Sequence, residues 1–146
     1  MQYITLDSSV GILVFEISSI EFGCNIDKIR LLDPSKKYLL KNGEIEYNGK
    51  EIILFDLGKI FSLNSKVPLR KKNALLYEFK DIMYGLLIDS VKEVLNLDRM
   101  YMEKFEKVDD NNQNQLLLGK LNFEGSTILF PDIDVILERN LIPIRN

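Results

Sequence analysis

The chain has no histidine and no tryptophan, one cysteine and four prolines among its 146 residues. Without histidine, Ser-His-Asp and Cys-His catalysis are excluded, and so is the commonest zinc ligand. With Cys24 alone, no internal disulfide can form, which fits a reducing compartment. Cys24 sits in the apolar pattern FGCNI with no imidazole to lower its pKa, so it reads as a small buried hydrophobe and not a nucleophile. No apolar run approaches the roughly 20 residues that span a bilayer. The longest runs, such as Val10–Phe15 and Ile52–Phe55, have strand length. The opening MQYITLD lacks the basic and apolar regions of a signal peptide, and export is not expected. A basic surface is missing too: the net charge is −3, and the pI of about 5.1 is far from that of an electrostatic nucleic-acid binder. The one dense basic cluster, Lys66, Arg70, Lys71 and Lys72 around Pro68, is expected to be a solvated loop. There is no heptad repeat and no long amphipathic helix.

What is present is a repeat. Residues 15–30 overlay residues 77–92 without a gap at an offset of 62, with Glu16, Ile20, Gly23, Ile26 and Asp27 meeting Glu78, Ile82, Gly85, Ile88 and Asp89. Each copy alternates apolar and polar positions, the period of half-buried strands, around a central hairpin. The phase then slips from Ile26 to Ile29 and from Ile88 to Val91, which predicts a bulge or a single helical turn at Asp27-Lys28 and at Asp89-Ser90. A second pair repeats at an offset of 76: Gly49-KE-IILF-Asp56-Leu57 against Gly125-ST-ILF-Pro131-Asp132-Ile133. Both predict a turn, a buried strand and a short helical turn opened by aspartate. Asp56, Asp132 and Asp134 could be acid/base carboxylates, but helix N-caps explain Asp56 and Asp132 better, because caps recur wherever the structure recurs. The growth of the offset places about fourteen extra residues in the second half, within 98–115, whose polar tract Asp109–Gln115 is expected to be a mobile surface loop. Duplicated strand units with only short helical turns predict an all-β protein of two similar lobes, closed as small barrels to limit exposed edges. The expected division is 1–68 and 69–146 within a single domain, with exchange of strands between lobes left open.

These segments resemble the CheW-like domain of chemotaxis coupling proteins over about Gly11 to Leu137. The residues that carry the resemblance are Leu13-Val14-Phe15, then Phe22-Gly23-Cys24-Asn25-Ile26, then Ile29-Arg30-Leu31-Leu32. Further on come Gly43-EIEYN-Gly49, IILF-Asp56-Leu57, Gly85-LLI-Asp89-SV-KEVL-NL-Asp98, Leu118-Gly119 and ILF-P-DI-DVIL. The resemblance implies two intertwined five-stranded, SH3-like β-barrels around a shared core, and scaffolding without catalysis or cofactors. It also implies two protein partners: the regulatory domain of the histidine kinase CheA, and the signalling tip of a methyl-accepting chemoreceptor in a groove between lobes. The implied location is cytoplasmic, with recruitment to membrane-associated receptor arrays; membrane insertion is not implied, and self-association stays open. The sequence departs from the family pattern where Asn48 replaces an arginine and Leu31 a glutamate, and where the stretch between Leu32 and Gly43 is short.

Ile29 matches a family position associated with partner contact, although a β-branched residue after a strand kink is by default a core residue. Gly43 and Gly49 would permit close approach of a partner, and turns needing positive φ explain them more simply. Gly23 and Gly85 are expected to be structural. Tyr101, Met102 and Phe105 offer an adaptable binding surface, with packing on their own lobe slightly favoured. The competing functions are a diverged CheW-like regulatory module binding one partner only and, from another class, a small β-barrel nucleic-acid module.

Overall fold

The computed structural model describes residues 9–32, 38–39, 44–47, 49–98, 104–107 and 116–141. Along the chain lie β1 (Ser9–Ile17), β2 (Ile20–Asn25), β3 (Ile29–Leu31), β4 (Tyr38–Leu39), β5 (Glu44–Tyr47), β6 (Lys50–Asp56) and α1 (Leu57–Ile60). The second half adds β7 (Asn73–Phe79), β8 (Ile82–Ile88), β9 (Ser90–Asp98), β10 (Glu106–Lys107), β11 (Leu117–Phe123), β12 (Ser126–Pro131) and α2 (Ile133–Leu141). The protein is all-β as expected, and α2, at nine residues, outgrows the single turn predicted for it.

Two six-stranded sheets form, in the orders β10-β11-β12-β2-β1-β9 and β3-β7-β8-β6-β5-β4. In each, the sixth strand beyond the expected five is a two-residue edge strand, β10 or β4. We call them the terminal lobe and the central lobe. Sheet membership does not follow the 1–68 and 69–146 division: the central lobe is built from residues 29–88, and the terminal lobe takes strands from either side of it. The cause lies in the repeat. Each copy folds its hairpin, β1-β2 or β7-β8, and then sends its third strand to the other copy's hairpin. β3 pairs antiparallel with β7, Ile29 opposite Tyr77, and β9 pairs antiparallel with β1, Val91 opposite Phe15. At the offset of 62 these two pairs are the same pair.

Local chemistry repeats with the topology. Ser18 and Ser19 have φ of 53° and 69°, and Lys80 and Asp81 have φ of 52° and 68°, the two-residue hairpin geometry whose twist suits the flanking strands. The first predicted phase slip is a 3-10 turn over Ile26–Lys28, capped by Asn25 Oδ1, which accepts from Asp27 N at 2.9 Å. At the second predicted position the chain only bends, at Asp89 between β8 and β9; the bulge lies further on, where Val14 faces Glu93 and Phe15 faces Val91, leaving Lys92 as the extra residue.

Strand β1 is apolar on both faces because two cores need it. Leu13, Phe15 and Ile17 enter the core shared by the lobes, while Ile12 and Val14 enter the terminal lobe's own core. In the copy, Leu75 and Tyr77 enter the shared core, and Ala74 and Leu76 the central lobe's own. Helix α2 covers the shared core with Ile133, Ile136 and Leu137. No helix among the described residues is long and apolar enough to cross a membrane.

Candidate functional site

The carboxylates singled out from sequence are structural. Asp56 Oδ1 accepts from the backbone N–H of Gly58 at 3.0 Å and of Lys59 at 3.4 Å at the start of α1, and Asp132 Oδ1 accepts from Val135 N at 3.2 Å in the equivalent place on α2. Asp134 Oδ1 accepts from the Tyr77 hydroxyl at 2.5 Å, tying α2 to the central lobe. Burial first, and then the Asp134 carboxylate, hold the Tyr77 hydroxyl above its ordinary pKa. Burial likewise pushes the Cys24 thiol up to about 12, so it stays protonated and unreactive at neutral pH. Among the described residues no cluster of three metal-ligating side chains occurs.

The strongest polar feature is a hub at the crossover from β8 to β9. Asp89 Oδ2 accepts from Ser18 N at 2.8 Å, and its Oδ1 from Ser65 Oγ at 2.6 Å. Lys72 Nζ lies 3.5 Å from Asp89 Oδ1 and 3.7 Å from Asp56 Oδ2. Lys72 is only 7% exposed, which corrects the expectation that it belongs to a solvated cluster; its neighbours Lys66 and Lys71 are exposed. Burial acts to raise the Asp89 pKa, but the Ser18 and Ser65 donors and the Lys72 charge outweigh it and hold the carboxyl below its usual range. The hub joins the β1-β2 turn, the connector before β7 and the crossover, so it is a joint between lobes.

The concave and exposed apolar surfaces lie elsewhere. A groove of about 360 Å³ is lined mainly by the terminal lobe, through Ile12, Cys24, Leu118 and Phe130, together with Lys28 and Asp134, and reaches the central lobe at Tyr77. Phe105 stacks edge-on against Phe130 at 5.1 Å and packs on the terminal lobe's core, as favoured from sequence; Tyr101 and Met102 lie outside the described residues. Edge strands β3 and β9 each expose one apolar residue at the same register, Leu31 (50%) opposite Leu75 and Val94 (48%) opposite Leu13.

Each lobe also has a cleft lined by positions the repeat makes equivalent. In the central lobe it measures about 500 Å³ and is lined by Arg30, Tyr47, Ile52 and Met83. In the terminal lobe it measures about 210 Å³, with Lys92, Phe123, Ile128 and Glu21 in the corresponding places. Lys92 and Glu21 form an ion pair across the smaller cleft. Its hydrogen bond to Glu21 raises the Lys92 pKa.

The sequence-predicted contact residues are not gathered into one site. Ile29 is 9% exposed and packs in the shared core, but its neighbours Lys28 and Arg30 line the interlobe groove and the central cleft. Gly49 has φ +78° at the β5-β6 turn with nothing within 4 Å of an added Cβ, so the turn accounts for it. Gly43 lies outside the described residues. Sequence reasoning missed Met83, whose apolar character looks like core; only Glu21 at the equivalent place in the repeat marks it as different.

Two β lobes that exchange strands around one core define the class of fold. The CheW-like domain matches residues 11–140, and the chain belongs to that family. Among solved structures it is similar to the scaffolding protein TtCheW from Thermoanaerobacter tengcongensis, with a TM-score of 0.72 and 19% identity over 85% of this chain and 89% of that one. No curated protein matches the chain.

Proposed function

We propose that the protein is a non-enzymatic adapter of chemotaxis signalling that couples a chemoreceptor signalling tip to the regulatory domain of the histidine kinase CheA, working in the cytoplasm at receptor arrays. The observation that carries this is the doubled fold of a CheW-like domain spanning residues 11–140, whose carboxylates and thiol serve structure. The interlobe groove has the lining a helical partner needs, an apolar floor with charges at the margin. Ile29 acts here from within, setting the backbone that presents Lys28 and Arg30, and Gly49 acts by shaping the β5-β6 turn.

The test is a calorimetric titration of the whole chain with the CheA regulatory domain and with a receptor-tip fragment, each alone and then together. The adapter binds both at once. Binding to one alone supports the single-partner module instead. Binding to neither, with salt-sensitive binding of single-stranded nucleic acid, removes the proposal.

A further inference from the structure

The two lobe clefts are copies with different contents, and the filled one shows what the open one lacks. In the terminal lobe the cation Lys92 on β9 meets a carboxylate, Glu21 on β2, above the apolar residues Phe123 and Ile128. In the central lobe the cation is kept as Arg30 on β3 and the apolar floor as Tyr47 and Ile52, but the carboxylate is replaced by Met83. The cleft is correspondingly larger, about 500 Å³ against 210 Å³. Beside it Ile82, 55% exposed, is the most exposed of the large apolar side chains described. Among the described residues Arg30 makes no ion pair within 4 Å.

We propose that the central-lobe cleft docks an apolar segment of a partner protein that carries a single carboxylate side chain, received by Arg30 where the terminal lobe supplies its own Glu21. This rests on the adapter function and names the chemistry of one of its contacts. Guanidinium suits this role, since it offers a planar fork of donors to a carboxylate. Ile82 and Met83 supply the apolar contact. Lys50, Glu51, Glu78 and Asp81 also line the cleft; its three carboxylates outnumber its two cations, and that excess selects against a segment bearing several acids. The terminal-lobe cleft, closed by its internal pair, does not dock a partner in this way, so the two lobes are not interchangeable.

The probe is the CheA regulatory domain, titrated into the whole chain, with the receptor-tip fragment as reference for an intact fold. Met83→Glu places a carboxylate inside the open cleft, and Arg30→Ala removes the receiving cation. Both should weaken kinase-domain binding by about tenfold or more, and Arg30→Ala should also flatten its dependence on ionic strength. Lys92→Ala and Glu21→Met, the same changes on the closed side, should stay within about twofold. Equal affinities for wild type, Met83→Glu and Arg30→Ala overturn the proposal and leave the adapter function standing. A wild-type chain that binds the receptor fragment and not the kinase domain overturns the proposal too, and replaces the adapter by the single-partner module. A wild-type chain that binds neither overturns both.

Discussion

The two crossovers between lobes carry the same residue at the same place in the repeat and hold it by opposite means. Asp27, after β2, is exposed in a 3-10 turn, and its own N–H donates to Asn25. Asp89, after β8, anchors Ser18, Ser65 and the buried Lys72. Duplication therefore set the path of the chain, while the strength of the joint was placed on one side only. The lobe clefts show the same divergence: an internal ion pair on one side and Met83 with Arg30 on the other. In both comparisons the backbone is shared, and the polar side chains decide what each copy does.

The comparison can be broken first at Lys72. Replacing it with alanine leaves Asp56 and Asp89 facing each other half-buried with no cation between them, and the expected loss is about 3–5 kcal/mol in chemical denaturation. A smaller loss is expected for Asp89→Asn, about 1–3 kcal/mol, through the hydrogen bonds and charge pairing it weakens; the equivalent Asp27→Asn should change stability by less than about 0.5 kcal/mol. Equal effects at the two positions would remove the asymmetry. Asp89 also gives stability a pH dependence. Because the folded-state pKa of Asp89 is lowered, its contribution is fully present above the unfolded value of about 3.9 and is lost as pH falls through the lower folded value. Acid titration of stability should therefore be shallower in Asp89→Asn than in the wild type. The turns contribute less than the hub: Gly49→Ala, at φ +78° with open space around it, should cost about 1 kcal/mol by thermal melting, from backbone strain alone.

Much of this was legible in the residues. The offsets of 62 and 76 located the hairpins, the Asp56 and Asp132 caps and the paired turns at Gly49 and Gly125, because these depend on local geometry that neighbouring side chains enforce. Exchange of strands was left open by the pattern and implied by the resemblance, but that β3 and β9 are the strands that cross was not legible, since alternation shows that a strand is buried on a face but not which sheet receives it. Nor was the fate of Lys72. It stands beside exposed Lys71 with identical local character, and only the convergence of Asp56 and Asp89 in space gives it a buried place. Gly23 and Gly85 were readable as equivalent, and their reason is now plain. A Cβ at Gly85 would come within 2.5 Å of Leu54, and one at Gly23 within 2.9 Å of Ile128, on the strands β6 and β12 that pair parallel with β8 and β2.

Reciprocal exchange makes each lobe depend on strands from the other copy, around a core to which both contribute Phe15, Phe22, Tyr77 and Tyr84. Scanning calorimetry of the whole chain measures that dependence most directly. One transition, with calorimetric and van't Hoff enthalpies equal, is the predicted result; two separable transitions would contradict it.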